Sequence, residues 1–484
     1  AAEMRRFLNP SWAHLRAIDR LVDADKAVER IAEAIFRQEN ILIFGDYDVD
    51  GITATTLLLE FLLHAGARVS HYIPDRMTEG YGLAVGHIND VAVAQDATLV
   101  ITVDCGSDSR EAVSRAREFG IDVIITDHHT ISDDMPEAFA VVNPCRNDCL
   151  SNATYLSGAG VVFFLLVCLR AHLRRQGYWN DHRPQPNLKE YCDLAAMGAI
   201  ADVVPMVEDN RLITRAGLEI LNSRPRPGIQ ALMDVSGSKK PLLDEEDIGF
   251  RIGPRLNATG RMARADLGVE ILRTRDPAIA ETLAKQINEL NQARQTIERE
   301  ILHHITMYFA ESPELLEKKT IVLGHRDWHD GVLGIVASRL AEQYYRPVVL
   351  ISFRHGWGKG SARSIPGLNL YQALARCGMY LENFGGHPMA GGIRLRSENY
   401  ESFKNAFEEA VTALTAPQDA GPSLDIDCML DLDMISDSLM DALAALQPFG
   451  PDHPEPLFLS RNVIVDFSRE AGAGHMRFAL TSSG

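Results

Sequence analysis

The sequence has few cysteines, no long apolar run and fewer basic than acidic residues. Its seven cysteines, an odd number scattered over 484 residues, do not predict a disulfide framework and are typical of a reducing cytoplasm. Cys145 and Cys149 have the spacing of half a zinc site, but no second pair follows at a useful distance. We therefore interpret the cysteines as structural or incidental.

No stretch is apolar for long enough to cross a membrane. The strongest candidate, Ala159 to Leu169, falls short of the roughly 18 to 20 residues that a spanning helix needs, and it predicts a buried helix instead. No apolar segment follows Met4-Arg5-Arg6-Phe7, so we expect no signal peptide. These absences predict a cytoplasmic protein that does not bind a membrane.

Basic residues are scarce, because 48 lysines and arginines stand against 66 aspartates and glutamates, a net charge of −18. Phosphate backbones are bound through lysine and arginine, so this balance argues against a nucleic-acid enzyme. Two segments without any acid, 250–264 and 343–381, nevertheless hold clustered cations and predict a confined basic groove. The cations are Arg251, Arg255, Arg261 and Arg264 in the first segment, and Arg346, Arg354, Lys359, Arg363 and Arg376 in the second.

Three aspartates follow one apolar run at alternate positions. Ile41–Phe44 predicts a buried parallel strand, and Asp46, Asp48 and Asp50 come directly after it. Open α/β sheets bind ligands at the carboxyl ends of their strands, and crowded carboxylates repel one another unless a divalent cation neutralises them. The alternative is an Asp-rich turn that caps the following helix.

The same pattern of a strand followed by metal-ligand residues recurs in three later stretches. Several carboxylates and an imidazole at neighbouring strand ends would converge on one crevice and supply ligands for two metal ions. The stretches are Leu99–Val103 before Asp104, Val123–Thr126 before Asp127, His128 and His129, and Leu194–Ala201 before Asp202.

The order of the predicted elements indicates an α/β protein of two to four domains. About 220 residues of alternating strands and helices predict a largely parallel sheet. A long amphipathic helix is predicted from Pro277 to about Met307, and a second α/β region from about Lys319 to Thr415. The remaining predicted strands are Arg68–Ile73, Ala138–Val142, Thr320–Leu323 and Val348–Ser352, and the predicted helices include Ala54–Ala65 and Ser109–Phe119.

These motifs resemble those of the DHH phosphoesterase superfamily. The four motifs are Asp46-Tyr47-Asp48-Val49-Asp50-Gly51, Asp104-Cys105-Gly106, Asp127-His128-His129 and Asp202. Within the superfamily, nearly the whole chain is similar to the bacterial 5′→3′ exonucleases specific for single-stranded DNA. The further matching segments are Ile73-Pro74-Asp75-Arg76, Glu79 to Leu83, Gly253 to Ala258, Lys359 to Ser364 and Gly385-Gly386-His387.

The resemblance implies a domain order as well as a fold class. It implies a DHH catalytic domain with a mainly parallel sheet at 1–265, a long connecting helix at 266–312 and a second α/β, DHHA1 substrate-binding domain at 313–415. A partial OB-like domain is expected at 422–484, where the chain ends before five strands could be completed.

By the same resemblance, two divalent ions, Mn²⁺ or Mg²⁺, are the expected cofactors. The first ion would be held by Asp46 and Asp48, and Asp104 would touch both ions. The second would be held by Asp50, His128 and Asp202. Many DHH enzymes have a histidine where this chain has Phe44, so the ligand set of the first ion departs from the common pattern.

Catalytic roles beside the metals are expected for Asp104, His129 and His387. His129 would contact phosphoryl oxygens, although a packed histidine is the alternative, and Asp127 is either an orienting carboxylate or a helix N-cap. Gly385, Gly386 and His387 would bring backbone N–H groups and an imidazole to a phosphate across an interdomain cleft.

Substrate contacts are expected at two further places. The resemblance assigns Arg76, Ser361 and Arg363 to the 5′ end, against the common alternative of solvated surface charge. A loop with Arg255, Asn257 and Arg261 has the composition of a phosphate-backbone contact. Trp328 and His329 could stack on bases, or the tryptophan could be packed in the core.

The predicted activity is hydrolysis of single-stranded DNA from its 5′ end to 5′-mononucleotides, in DNA repair and recombination. Single-stranded DNA is the expected partner of a monomer, and single-strand-binding protein and a RecQ-type helicase are implied by resemblance alone. One alternative is a nanoRNA or cyclic-dinucleotide phosphodiesterase with the same metal site. Another is a scaffold that binds single-stranded DNA without cleaving it, although all candidate ligands are present.

Overall fold

Five parallel strands form the first sheet, in the order β2-β1-β3-β4-β5. The computed structural model describes residues 4, 7–15, 21–131, 134–223, 225–238, 240–415, 423–471 and 475–482. The predicted α/β class with a parallel sheet is confirmed. The strands are β1 Asn40–Gly45, β2 Arg68–Tyr72, β3 Leu99–Val103, β4 Asp122–Thr126 and β5 Ala140–Val142.

The central strands of this sheet are buried on both faces, which explains their unbroken apolar sequences. In β1, Ile41 and Ile43 pack into one core, while Leu42 and Phe44 pack into a second core on the other face. Because the strands are parallel and in register, β1, β3 and β4 all end at the same edge. The residues that follow them must therefore share one crevice.

Helices cover both faces of this sheet. The prediction of a strand at Leu194–Ala201 is wrong, because this stretch lies in helix α5. That helix is buried on nearly all sides and so lacks a polar face. The helices are α1 Ala24–Arg37, α2 Val49–His64, α3 Arg110–Glu118, α4 Gly158–Arg175, α5 Cys192–Ala201, α6 Glu208–Ser223, α7 Pro227–Ser236, α8 Gly253–Met262 and α9 Asp266–Arg273, with short helical turns at Val85–His87, Ile88–Ala92, Leu188–Tyr191, Glu245–Asp247 and Ile248–Ile252.

The long helix α10 spans Pro277–Glu311, four residues beyond its predicted end, and Asp276 caps it by accepting from the Ala278 N–H. Its first half packs into the core of the first domain through residues such as Ile287, and its second half packs against the second domain through residues such as Ile305. Between these halves the buried side chains of the helix are polar, namely Asn291, Arg294 and Glu298. The helix therefore braces two separate cores.

The second sheet has the order β6-β7-β8-β10-β9, with a parallel β6–β7 pair and antiparallel neighbours beyond it. Helices pack on its apolar faces. The strands are β6 Ile321–His325, β7 Val348–Arg354, β8 Trp357–Arg363, β9 Asn383–Gly386 and β10 Ala390–Arg396, and the helices are α11 Asp330–Tyr344, α12 Leu370–Arg376 and α13 Tyr400–Leu414, with 3₁₀ turns at Pro313–Glu317, Gly378–Tyr380 and Ser397–Asn399.

Over residues 423–471 and 475–482, the C-terminal part contains two small sheets, one α-helix and a 3₁₀ turn at Leu432–Met434. Arg211 on α6 holds this part, because its guanidinium donates to the carbonyls of Leu446 and Gln447. In the described ranges, no helix combines the length and apolar character needed to cross a membrane. The elements are β11 Cys428–Met429, α14 Asp437–Leu446, β12 Phe458–Leu459, β13 Val463–Glu470 and β14 Met476–Ser482.

Candidate metal centre and substrate cleft

The turn from β1 into α2 places three carboxylates with different surroundings. Asp46 is buried directly after β1. Asp48 is the N-cap of α2 and accepts from the Gly51 N–H at 3.1 Å, so the capping interpretation holds for this residue. Asp50 is buried in the first turn of α2, which capping does not explain.

Asp50 is held by the N-terminus of a second helix. Its two oxygens accept from the backbone N–H groups of Gly158 and Ala159, at 2.6 and 3.0 Å, where α4 begins. These bonds and the helix dipole stabilise a negative charge at this position. A methyl group on Gly198 would lie 2.3 Å from the Asp50 carboxylate, so α5 can pass this close only at a glycine.

The ends of β3, β4 and α5 add three more ligand groups. Asp104 follows β3 in a left-handed backbone conformation with a φ of 61°. His128 lies after β4, and its Nε2 is 3.1 Å from Asp104 Oδ1, 3.5 Å from Asp202 Oδ2 and 3.8 Å from Asp50 Oδ2. Asp202 reaches the crevice as the C-cap of α5 rather than from a strand.

Two adjacent groups of these residues could each hold a cation, and a third group that overlaps them joins Asp104 and His128 with His129. The ligand atoms of Asp46, Asp48 and Asp104 lie within 4.8 Å of one another. The second group, with ligand atoms within the same 4.8 Å, consists of Asp50, His128 and Asp202.

Unsatisfied buried atoms in this crevice fit the expected divalent ions. Asp46 Oδ1, Asp104 Oδ1 and His128 Nε2 are buried and have no hydrogen-bond partner among the described residues. A buried polar atom without a partner is costly, and coordination of an ion would satisfy it. Carboxylate oxygens with one imidazole form a donor set that suits Mg²⁺ or Mn²⁺.

The electrostatics of the crevice without ions are unfavourable. Burial, and then the charges of neighbouring aspartates, raise the pKa of Asp46 and Asp104 well above the usual range. The same two causes raise the pKa of Asp50 to about 6 and that of Asp202 to about 8. Burial, followed by the charge of His129, lowers the pKa of His128 to about 4, so its imidazole is neutral and able to ligate.

We expect the metal-free protein to lose stability as pH rises from about 4 to about 8. In the folded protein the pKa values of Asp50 and Asp202 are about 6 and about 8, whereas an unfolded aspartate has a pKa of about 3.9. The folded state binds more protons in this window, so its free energy of unfolding falls with pH. Thermal unfolding in EDTA across this range measures the effect.

Manganese should weaken this dependence, because a bound ion displaces the protons that the folded state holds in this pH range. The fall in melting temperature should then be smaller, and calorimetry in two buffers should detect proton release on binding. An Asp202→Asn variant, which has no carboxyl group to titrate at that position, is the control and should show a weaker pH dependence in EDTA. An equal dependence in both proteins would contradict this explanation.

Asp127 organises the loop after β4. Its oxygens accept from the backbone N–H groups of His128, His129 and Ser107 and from Nδ1 of His129, at 2.7 to 3.1 Å. Burial alone would raise the pKa of Asp127, but these donors and the charge of His129 lower it. Of the two alternatives for Asp127, the hydrogen bond to His129 supports the orienting carboxylate, and Asp127 also accepts from successive backbone N–H groups.

His129 is a cation facing the crevice. Burial would lower its pKa, but the hydrogen bond and charge of Asp127 raise it to about 9. Its ring lies near that of His387 from the second domain, with centroids 6.0 Å apart and planes at 25°. The structure thus brings together two histidines that are 258 residues apart in sequence.

A cleft of about 1290 Å³ opens between the two domains at these histidines. Its first wall includes Tyr81 and His129, and its second wall includes residues of β8, β9 and β10. Gly385 and Gly386 line it and lie in β9. Gly386 has a left-handed φ of 137° at the start of the tight turn that presents His387.

Three arginines from distant segments lie near one another beside the metal centre. The Arg76 guanidinium lies over the Tyr47 ring at 4.8 Å, and Arg363 donates to Ser338 at 3.0 Å and to Ser361 at 3.4 Å. Burial, and then the charges of Arg76 and Arg363, lower the pKa of Arg261 to about 9. This concentration of positive charge is a candidate anion site.

The segment with Arg255, Asn257 and Arg261 is helix α8, so its assignment to a loop was wrong. Pro254 lies where the π-helical turn Ile248–Ile252 passes without a break into α8. Arg255 donates to Asn288 on α10, and Asn257 accepts from the Val49 N–H at 3.2 Å. Both residues support the scaffold of the site in this structure.

Trp328 does not offer a face for base stacking. It is buried, and its indole N–H donates to His304 Nδ1 at 3.2 Å. His329 caps α11 by accepting from the Gly331 N–H. The core-packing alternative is therefore the correct one for the tryptophan.

Sequence reasoning missed Tyr81 as a separate contributor. Its hydroxyl lies 3.2 Å from His129 Nδ1 and donates to the Asp104 carbonyl at 3.3 Å, so it links the segments that follow β3 and β4. Asn143 was also missed; its amide donates to the His129 carbonyl at 2.9 Å. The glycines on both sides of Tyr81 were the available signal, because they mark a constrained loop.

Three family profiles match consecutive parts of the chain. The DHH family, N-terminal domain, matches residues 40–199, the DHHA1 domain matches 317–413 and the RecJ OB domain matches 426–484. The resemblance inferred from the sequence motifs is confirmed by these matches.

Curated relatives match almost the whole chain. The single-stranded-DNA-specific exonuclease RecJ of Bacillus subtilis is 36% identical over 99% of this chain. The protein of the same name from Salmonella typhimurium is 36% identical over 98% of this chain and 82% of its own length. The chain spans only 59% of the length of the Bacillus protein.

A solved structure agrees with this similarity. The crystal structure of RecJ from Thermus thermophilus in complex with Mn²⁺ superposes with a TM-score of 0.82 at 32% identity, over 98% of this chain and 67% of that one. The same protein with Mg²⁺ gives a TM-score of 0.74 at 30% identity, over 98% and 65% of the two chains. Both ions expected from the sequence are therefore ones found with a relative.

Proposed function

The chain belongs to the RecJ family of single-stranded-DNA-specific exonucleases, and on that premise we propose that it hydrolyses single-stranded DNA from the 5′ end. The products are 5′-mononucleotides, and the reaction depends on two divalent metal ions. The observation that carries this proposal is the pair of ligand groups at one sheet edge, with Asp104 between them. Beside them lies a cluster of three arginines suited to a terminal phosphate.

The chain supplies the ligands for both ions. Asp46, Asp48 and Asp104 would hold the first ion, and Asp50, His128 and Asp202, together with Asp104, would hold the second. When bound, such ions lower the pKa of an attacking water and neutralise charge on the phosphate. The neutral imidazole of His128 offers Nε2 to this site.

His129 and His387 would contact the scissile phosphate from its open side. The hydrogen bond to Asp127 and the charge of that carboxylate raise the pKa of His129 to about 9, so His129 would be positively charged at neutral pH. This charge can stabilise negative charge in the transition state. The pKa of His387 is lowered by burial and then by the charge of His129, so His387 offers a neutral ring. The two rings come from different domains, and their centroids already lie 6.0 Å apart.

The polarity of the reaction would come from Arg76, Ser361 and Arg363. A terminal 5′ phosphate carries more negative charge than an internal phosphodiester, and it would neutralise the mutual repulsion of these arginines and Arg261. A strand anchored there places its first internal phosphodiester toward the neighbouring metal centre.

We extend the proposal to a cellular setting on the family relationship alone. The chain would act as a cytoplasmic monomer in DNA repair and recombination. Its protein partners would be a single-strand-binding protein and a RecQ-type helicase. Co-purification from cells and light scattering address these points separately from catalysis.

The test is degradation of labelled single strands in Mn²⁺. We expect a label on the 5′ phosphate to appear at once as mononucleotide, while a 3′ label stays on strands that shorten with time. A duplex without single-stranded ends should resist. Immediate release of the 3′ label, or internal cuts, would refute the proposed polarity, and faster turnover of two-mers than of long strands would favour a short-substrate phosphodiesterase.

A further inference from the structure

One face of the second sheet carries cations that the roles proposed above do not use. Side chains alternate along a strand, so Trp357, Lys359, Ser361 and Arg363 of β8 lie on the same face. Ser361 and Arg363 belong to the proposed 5′-end pocket. The same face continues along β8 to Lys359 and then to Trp357. Lys359 is about 13 Å from Arg363 along the strand.

Neighbouring strands add like charges directly opposite this row. Arg394 of β10 pairs with Lys359, and Arg354 of β7 pairs with Trp357. Lys359, Arg354 and Arg394 are exposed, and within the described ranges none of the three forms an ion pair with a carboxylate. Like charges directly opposite one another destabilise a strand pair unless an anion lies between them.

Trp357 fixes the position of the arginines. The guanidinium groups of Arg394 and Arg396 each lie 4.7 Å from the centre of its ring. Arg396 is also neutralised by Glu382, at 3.1 Å, whereas the guanidinium of Arg394 has no hydrogen-bond or ion-pair partner in the part of the chain that the structure describes. A guanidinium held on an aromatic face loses little conformational entropy when it binds a phosphate.

This face is continuous with the proposed active site. Arg354, Lys359 and Arg394 line the same cleft of about 1290 Å³ that contains His129 and His387. A polyanion that leaves the metal centre along this wall would meet the three cations in succession. Charge complementarity and this continuity select a single strand as the occupant.

We propose that Arg354, Lys359 and Arg394 bind backbone phosphates of the strand on the 3′ side of the cleaved bond, with Trp357 as a positioning residue. The inference rests on the proposed function and adds a second phosphate-binding subsite to it. Contacts of this kind carry no sequence information and depend strongly on salt. They would let long strands bind better than short ones.

The test is a double variant, Lys359→Gln with Arg394→Gln. We expect its affinity for a twenty-nucleotide strand, measured by fluorescence anisotropy in EDTA, to fall roughly tenfold. The dependence of log affinity on log salt concentration should lose about 1.4 in slope, or about 0.7 for each lost phosphate contact. The ratio of kcat/KM on this strand to kcat/KM on a dinucleotide should fall by a similar factor.

A matched control removes two positive charges elsewhere. Arg37 on α1 and Arg174 on α4 are exposed and do not line the cleft, so Arg37→Gln with Arg174→Gln should leave the salt slope and the length ratio unchanged. Trp357→Leu keeps every charge but removes the aromatic face, and it should weaken strand binding while Trp357→Phe restores part of it.

The outcomes separate the two proposals. A wild-type chain that turns over no strand in Mn²⁺ contradicts the proposed function. A wild-type exonuclease whose cleft variant keeps its salt slope and length ratio contradicts only the subsite. The subsite would also be contradicted if the cleft variant bound a polyglutamate peptide more weakly than the wild type but bound the DNA strand equally well. The face would then recognise an acidic protein.

Discussion

Replacing Asp104 by asparagine should abolish hydrolysis and, at the same time, stabilise the metal-free protein. Asp104 is buried, and its side chain lies between the two groups of ligands, 3.1 Å from His128. Its loss should reduce kcat by about a thousandfold or more, because charge stabilisation at the phosphate depends on both ions. Initial rates on a 5′-phosphorylated strand with saturating Mn²⁺ give the measurement.

The stabilisation follows from the raised pKa of Asp104, whose first cause is burial and whose second is the neighbouring Asp50. A folded-state pKa above the unfolded value means that the carboxyl group destabilises the metal-free fold at neutral pH. Asparagine removes the charge and keeps the shape, which matters because a methyl group on Gly158 would lie 2.6 Å from this side chain. We expect the melting temperature in EDTA to rise by roughly 2 °C.

An exposed aspartate gives the matched control. Asp181 lies on the surface outside the crevice, so Asp181→Asn should change neither the rate nor the response of the melting temperature to Mn²⁺. The Asp104→Asn variant should lose most of that response. Near-normal turnover by the variant, or a full Mn²⁺-dependent rise in its melting temperature, would rule out a bridging role.

Replacing Arg363 by glutamine should remove the preference for a 5′ phosphate. Arg363 donates to Ser338 and lies close to Arg76 and Arg261, and burial followed by the charge of Arg76 lowers its pKa. A phosphate dianion would relieve this repulsion and form charge-assisted hydrogen bonds. We expect kcat/KM on 5′-phosphorylated strands to fall by about a hundredfold, or roughly 2.7 kcal/mol.

The comparison with 5′-hydroxyl strands separates recognition from a general loss of activity. Those strands lack the dianion, so their kcat/KM should fall much less in the same variant. Arg376 lies in the same acid-free segment but is exposed on α12, and Arg376→Gln is the matched control. If both kinds of strand lost activity equally, Arg363 would have a structural role rather than a role in recognising the 5′ end.

The arrangement at the sheet edge could be predicted from the sequence because parallel strands end together. The runs before Asp46, Asp104 and His128 each have the apolar character of strands buried on both faces, and the register brings their ends to one crevice. Asp202 was placed in the right crevice but on the wrong kind of element. An apolar run of eight residues does not distinguish a buried helix from a buried strand.

The surroundings of the α8 segment and of Trp328 could not be predicted either, because short sequence patterns fit more than one local structure. The composition of the segment with Arg255, Asn257 and Arg261 suggested a loop, although the segment is helical and packs against α10 through Arg255. The sequence did not decide whether Trp328 lies in the core or on the surface, because an isolated tryptophan has no periodic pattern around it. Its burial against α10 depends on packing between elements distant in sequence.

The interdomain part of the site depends on geometry that no local pattern contains. His387 meets His129, and Arg363 meets Arg76, only because the 35-residue helix α10 sets the distance and angle between the two cores. The family resemblance supplied these expectations. The sequence by itself offered only glycine pairs and an acid-free segment as signals.

The central claim is that two cations bind at the edge of the first sheet. A crystal soaked in Mn²⁺ and measured at the manganese absorption edge tests it directly through anomalous difference density. We predict two peaks, one among Asp46, Asp48 and Asp104 and the other among Asp50, His128 and Asp202, with Asp104 between them. No peak in this crevice at saturating Mn²⁺, or one peak outside both ligand groups, would contradict the claim.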